Sequence, residues 1–486
     1  MIKWLNIDSW LYRKRYILGY VLIAVSFAAL LYVAATIIPG GISSAEERSF
    51  VKAAELDLQN HDTLATVSLP FYALQRFAVE TLGVSLLSIK LTSIVLAFIT
   101  GIGAVFLLRR WFRPNIALLA TVIMITTGQF LYVAQSGSPS ITYVMWPIWL
   151  LLTATLITTS PHYARFWKVL FFILVPLSLY TPLSIYLVLA IISAGLIHPH
   201  VRYVIRRMSI PHLALLSLMS LALIAPLIYL IAQDPSIGLY LLGAPVTWPP
   251  DIFANAREIT QQYLNFIEPQ SGRLMTPVLG LGSIILIALG IWRLAKISYT
   301  ARSYTIVAWV ILLIPILLIN PVYTAAAFVP LLILLAMGLE FLLRSWYQMF
   351  PRNPYARFVG LVPLAILVGG LVISGLSRYF DGYRYDPVTA SSFHKDLDLL
   401  EKNVHTKSGP TTLIVSKSEH DFYNAIALIG EQHGNELIVT TTVPAVAPHR
   451  LAATKAAKSS VDLPIERIVT TSTSTDADRF YIYKTK

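Results

Sequence analysis

Long apolar runs and short polar connections alternate along most of this chain. The apolar runs cover 16–38, 87–108, 115–133, 141–159, 166–180, 182–197, 213–232, 276–292, 304–319, 321–339 and 357–376. A hydrocarbon core ~30 Å thick takes ~20 apolar residues per helix, so the pattern predicts a polytopic α-helical membrane protein with about eleven transmembrane helices. The first run is too long and too strongly flanked for a cleaved signal peptide and reads as an uncleaved anchor.

Two polar connections are long enough to fold, 39–86 and 233–275. In the first, Ser43 or Ser44 can cap a helix, and Ser44-x-x-Glu47 fits a capping box. That helix runs towards Leu58 with Phe50, Val51, Ala54 and Leu58 on one face, as a helix lying in the membrane interface requires. A more apolar helix follows Pro70, over Phe71–Thr81. The second connection carries Trp248-Pro249-Pro250-Asp251 and predicts a helix over Ile252–Phe266. Beyond 376 no run could cross a membrane. Helical periodicity over Ser391–His405 and Asp421–His433 alternates with strand-like segments at Thr411–Ser416, Leu437–Val443, Arg467–Thr471 and Phe480–Tyr483. This predicts a small α/β domain over 377–486. It has no Gly-rich phosphate loop, and His394, His405, His420, His433 and His449 lack metal-ligand spacing.

Composition strengthens this picture. The chain has 486 residues, 56% of them hydrophobic, and a mean hydropathy of +0.67. Cysteine is absent, which excludes disulfides and thiol chemistry. The net charge of +12 would suit nucleic acid, but its distribution does not. Lys3, Arg13, Lys14, Arg15, Arg109, Arg110, Arg113, Arg165, Lys168, Arg202, Arg206, Arg207, Arg293, Lys296, Arg302, Arg344, Arg352 and Arg357 all fall in alternate short connections. The opposite connections hold Arg48, Lys52, Arg76, Arg257 and Arg273. The positive-inside rule puts the N-terminus in the cytoplasm, and an odd span count puts the C-terminal domain outside the cytoplasmic (plasma) membrane. Glu46, Glu47, Glu55, Asp57, Asp62, Glu80, Asp234, Asp251, Glu258 and Glu268 lie in the outer connections. Acids contribute little to topology, so this bias fits a polar outer face able to carry chemistry. For most of these acids a solvated loop surface is the plain alternative.

Glu46 and Glu47 stand out, an acidic pair just past the first span. As first-turn acids they favour a helix start, and Glu47 fits the capping box. As carboxylates at the mouth of a membrane bundle they can take a proton or hold a cation.

From Ala45-Glu46-Glu47-Arg48-Ser49-Phe50, through Ser68-Leu69-Pro70-Phe71-Tyr72 and Leu82-Gly83-Val84-Ser85, to Lys90-Leu91, the chain resembles the glycosyltransferase C superfamily. The branch it resembles holds the protein O-mannosyltransferases and lipid A aminoarabinose transferases, and the likeness is best over the first 160 residues. It implies a transmembrane glycosyltransferase-like domain over 1–376 with an extracytoplasmic accessory domain over 377–486. It further implies an inverting transfer from a polyprenyl-phosphate-linked sugar to a lipid, glycan or protein acceptor at the outer face. Glu46 and Glu47 are then the candidate catalytic carboxylates. Arg48, Lys52, Arg257 and Arg273 are candidate substrate contacts for the phosphate, with Lys90 a weaker one. A divalent metal ion, held at Glu46, is the alternative source of positive charge. The chain departs from the family twice. The loop Ala134–Ser140 lacks the usual acid, and Ser68 or its neighbourhood lacks the usual lysine. These departures keep open a catalytically inactive scaffold of the same fold. A transporter or flippase for a lipid-linked sugar would show inverted repeats and midplane charges, and neither is visible.

Overall fold

The computed structural model describes residues 5–57, 61–206, 209–245, 247–265, 277–296, 300–350, 354–403, 411–432, 437–443, 450–471 and 478–484. Each apolar run forms helix. The helices are Leu5–Thr36, Leu86–Trp111, Pro114–Thr126 with Gly128–Gln135, Thr142–Thr159, Ala164–Ser178, Ser184–Ile197, Ile210–Gln233, Leu281–Lys296, Ala301–Ile319, Phe328–Met349 and Leu361–Tyr385. Among the described residues seven helices are long and apolar enough to cross a membrane, or up to nine if each of two bent pairs is one span. Pro114–Thr126 and Gly128–Gln135 meet at 62°. There Thr127 ends one helix and its hydroxyl accepts from Phe130 N–H to start the next. Ala164–Ser178 and Leu281–Lys296 have 15 and 16 residues and join the same bundle.

Leu281–Lys296 and Phe328–Met349 pack most intimately. An added Cβ at Gly290 would overlap the Leu334 carbonyl, and one at Gly338 the Leu286 carbonyl. Small residues let helix backbones touch where lipid supplies no hydrophobic drive. Outward faces carry exposed Leu22, Val25, Leu196, Leu215, Leu218 and Ile366, as a lipid-facing surface should.

The first outer connection folds into Ser44–Ala54, His61–Leu64 and Leu69–Leu82. Leu69–Leu82 exposes Leu74, Phe77 and Leu82, which suits the membrane interface. Ser44–Ala54 differs from its expected interfacial role. Its apolar face is covered by protein: Phe50 and Ala54 are buried, and the Phe50 ring meets Phe422 edge-on at 5.9 Å. Phe422 lies on the helix His420–Gln432 of the C-terminal domain. An amphipathic period shows that one face is apolar, not what will cover it. The second outer connection forms Pro235–Leu241 and Ile252–Leu264, the latter capped by Asp251 accepting from Ala254 N–H at 3.0 Å.

The C-terminal domain begins later than composition suggested, because the last membrane helix runs on to Tyr385. Its sheet joins β3 (Thr411–Ile414), β4 (Leu437–Thr440), β5 (Arg450–Thr454), β6 (Ile465–Thr470) and β7 (Asp478–Tyr483) in the order β4-β3-β5-β7-β6. β3 pairs parallel with β4 and β5, whereas β7 pairs antiparallel with β5 and β6. A separate two-stranded ladder ties this domain to the first outer connection. β1 (Ile42–Ser43) pairs antiparallel with β2 (Phe393–His394). Residues just past the first helix and the C-terminal domain therefore sit on one side of the bundle.

Candidate functional site

The capping box falls one residue earlier than the sequence reading placed it. Ser43 is the N-cap, and Glu46 is the third helical residue. Glu46 Oε2 accepts from Ser43 N–H at 2.7 Å and from Ser43 Oγ at 2.9 Å. Its other oxygen, Oε1, accepts from Gly137 N–H at 2.7 Å and lies 3.4 Å from Lys90 Nζ. Lys90 also donates to Gln135 Oε1 at 2.8 Å. Both charged side chains are fully buried. The arrangement pins the loop 135–140 from below, since a buried carboxylate needs donors on both oxygens.

Gln75 pins the same loop from the side. Its amide nitrogen donates to Gly137 C=O at 2.8 Å and Ile89 C=O at 2.9 Å, and its oxygen accepts from Ser49 Oγ at 2.9 Å. Gly137 is required by space. A Cβ there would meet Ile89 Cγ2 at 3.0 Å and Ile89 O at 3.1 Å.

Glu47 turns to the C-terminal domain, away from Glu46. Its Oε1 lies 3.0 Å from His394 Nε2, and His394 Nδ1 lies 3.4 Å from Asp396 Oδ2. Arg479 forks both nitrogens onto the two Asp396 oxygens. Burial pulls the His394 pKa down. The Glu47 hydrogen bond and the charges of Asp396 and Glu47 outweigh it, with Arg479 opposing, and the net pKa is raised above the usual histidine value. The sequence offered no signal for this link, because the partners belong to opposite ends of the chain.

Beside the pinned loop opens a cavity of ≈ 510 Å³. Its walls come from the first outer connection (Ala45, Arg48, Ser49, Lys52, Thr66, Ser68, Tyr72), the loop Ser138-Pro139-Ser140 with Tyr143, and Pro182, Leu230, Ile237 and Tyr240. Arg48 and Lys52 are one helical turn apart and share a face. Both are exposed to this space. Tyr72, outside the spans, is pushed up to about 12 by burial and by Tyr240, so it stays a neutral hydroxyl. Ser68 and Ser140 both line this cavity. Among the described residues no carboxylate lines it. Glu46 stands just behind the wall: Ala45 precedes it, and Ser138 follows its partner Gly137, and both line the cavity.

Arg257 is exposed on Ile252–Leu264 and does not line the cavity. Arg273 lies outside the described residues. A divalent ion does not fit at Glu46. Three protein donors already occupy its oxygens, the adjacent charge is an ammonium, and no group of three His, Asp or Glu side chains gathers among the described residues.

No family model matches the chain, and no curated protein matches its sequence. Solved structures do match its fold. The apo crystal structure of ArnT from Cupriavidus metallidurans aligns over 96% of this chain and 98% of its own, with a TM-score of 0.55 and 12% identity. The structure of that protein bound to undecaprenyl phosphate aligns over the same shares, with a TM-score of 0.53 and 13% identity. The chain shares the fold of these ArnT structures. The bundle, the folded first outer connection and the small C-terminal sheet domain thus belong to one architecture, that of a multi-pass membrane protein.

Proposed function

We propose that the chain is a membrane glycosyltransferase that takes a polyprenyl-phosphate-linked sugar and passes the sugar to an acceptor hydroxyl at the outer face. The observation that carries this reading is the cavity in which Arg48 and Lys52 meet tyrosine and serine hydroxyls. Two cations on one helix face, neither in an ion pair among the described residues, suit a phosphate. Leu230 and Ile237 give the cavity an apolar edge on which the first isoprene units can lie. ArnT, which shares the fold, has been crystallised with undecaprenyl phosphate.

In this reading the acceptor oxygen attacks the anomeric carbon as the bond to phosphate oxygen breaks. Polyprenyl phosphate leaves with the electron pair, and Arg48 and Lys52 offset its charge. The proton goes to Glu46, which must first let go of Gly137 N–H. One observation favours a second reading, a donor-binding scaffold without transfer: no described carboxylate lines the cavity as it stands.

The deciding experiment incubates purified protein in nanodiscs with a radiolabelled polyprenyl-phosphate sugar and a pool of envelope acceptors, with and without EDTA, and measures donor binding in parallel. Transfer insensitive to EDTA supports the first reading. Binding without transfer supports the second, and no binding sinks both.

A further inference from the structure

A second cationic site lies at the end of the bundle opposite the cavity. The span Leu86–Trp111 has Lys90 at its cavity end and Arg109 and Arg110 in its last turn at the other. There Arg302, at the start of Ala301–Ile319, lies half-buried over Trp111 and Phe112, 6.0 Å and 4.9 Å from their rings. Its Nη1 donates to the Trp111 carbonyl at 2.6 Å. Arg293, in the last turn of Leu281–Lys296, is half-buried too. Its Nε is sealed from solvent without a hydrogen-bond partner among the described residues. The two guanidiniums repel one another, while Glu340 on Phe328–Met349 attracts Arg302. Neither arginine is in an ion pair among the described residues. Two partly desolvated cations beside one acid leave a positive charge uncompensated, and that costs free energy until an anion joins them.

We propose that an anionic phospholipid, from the leaflet opposite the cavity, seats its phosphate between Arg293 and Arg302. A guanidinium fork matches phosphate oxygens, and basic pockets between membrane helices recognise such headgroups. A soluble phosphate offers the same oxygens, but the surroundings favour a lipid. Beyond Arg302 the outward face of Ala301–Ile319 exposes Val307, Ile311 and Ile314, against which an acyl chain can lie. Trp292 is exposed beside the site with Lys296 Nζ 4.5 Å from its ring, an aromatic and a basic side chain of the kind that sit at headgroup depth. Arg110 and Arg113 flank the Trp111–Phe112 pair and are exposed. They draw anionic lipid towards this rim, and the half-buried pair selects it. The site is separate from the donor cavity, so it stands or falls independently of the proposed transfer.

The test measures the unfolding midpoint of the full chain in nanodiscs of phosphatidylcholine alone and of phosphatidylcholine with about one-fifth phosphatidylglycerol, and follows retained phosphatidylglycerol by native mass spectrometry. The parent should be stabilised by phosphatidylglycerol and should retain it on transfer to detergent. Arg293→Gln and Arg302→Gln should each weaken retention about tenfold, the worth of one charge-assisted hydrogen bond, and lose the stabilisation. Arg302→Lys keeps the charge without the fork and should recover only part of it. Arg165→Gln removes an exposed charge from the same end of the bundle and should change nothing. Arg293→Gln keeps the test valid if Arg302→Gln does not fold, because Arg302 also holds the Trp111 carbonyl. A fall in midpoint that is equal in both lipids would make the arginines purely structural and overturn the proposal. An equal loss of retention in Arg165→Gln would overturn it in favour of unspecific charge attraction. Displacement of the lipid by inorganic phosphate would overturn it in favour of a soluble anion.

Discussion

Glu46 and Lys90 form an ion pair sealed from solvent, with Oε1 and Nζ 3.4 Å apart and both side chains fully buried. The acid that the sequence singled out for chemistry is thus also a structural anchor, joined to the N-cap Ser43 and to Gly137 of the loop that walls the cavity.

Removing one member of such a pair leaves a buried charge alone, which costs about 3–5 kcal/mol. Lys90→Met should therefore lower the thermal unfolding midpoint sharply and loosen the loop 135–140. Glu46→Gln should also destabilise, because an amide cannot accept from Ser43 and Gly137 while answering Lys90. The double variant should recover part of the loss, and the pairwise energy follows from the cycle. If Glu46→Gln keeps full stability and loses transfer, Glu46 is a base and not an anchor.

The helices were legible because apolar run length is read directly from sequence and lipid imposes it. The register of the acidic pair was not. Ser43-x-x-Glu46 and Ser44-x-x-Glu47 fit the same pattern, and what separates them is that Glu46 meets Gly137 and Lys90 in three dimensions. β1 and β2 have two residues each, too few for any periodicity, and β5, Arg450–Thr454, carries two alanines that hide its strand character. Lys90 did leave a signal. An ionisable residue at the mouth of an apolar run implies a buried partner.

Arg48→Ala and Lys52→Ala should each weaken polyprenyl-phosphate binding about tenfold or more, the worth of a charge-assisted hydrogen bond. Both side chains are exposed, so unfolding midpoints should stay near the parent's. Arg257→Ala should change neither binding nor stability, since Arg257 lies on an exposed helix outside the cavity wall. Titration of the lipid phosphate against the three variants checks this. A larger effect at Arg257 than at Arg48 would move the phosphate site to the second outer connection.

Topology follows from β1 and β2. Their pairing keeps residue 42 and the C-terminal domain on one side. If Leu5–Thr36 crosses the membrane, the two chain ends lie on opposite sides whatever the full span count. With basic residues concentrated around Arg109 and Arg110, a reporter fused after Arg110 should be active only in the cytoplasm, and one fused after Lys486 only outside. A cytoplasmic signal from the C-terminal fusion would refute this orientation.

His394 should make the contact between the C-terminal domain and the first outer helix depend on pH. Its pKa is raised in the folded state, with Glu47 and Asp396 favouring the charged ring over the opposing effects of burial and Arg479. A group whose pKa is raised on folding binds its proton more tightly in the native state, so stability falls with rising pH. The contribution is fully present below the unfolded value of about 6.5 and is lost as pH rises through the raised native value. His394→Gln keeps a donor for Glu47 but cannot take the charge. The gap in unfolding midpoint between the parent and this variant should be widest below the unfolded value of about 6.5 and should shrink towards zero as pH rises through the raised native value. Protease sensitivity of the C-terminal domain in the parent should rise over the same interval. A gap that stays constant with pH would mean that His394 acts through packing against Phe393 and its neighbours alone, and a gap that widens at high pH would reverse the sign of the coupling.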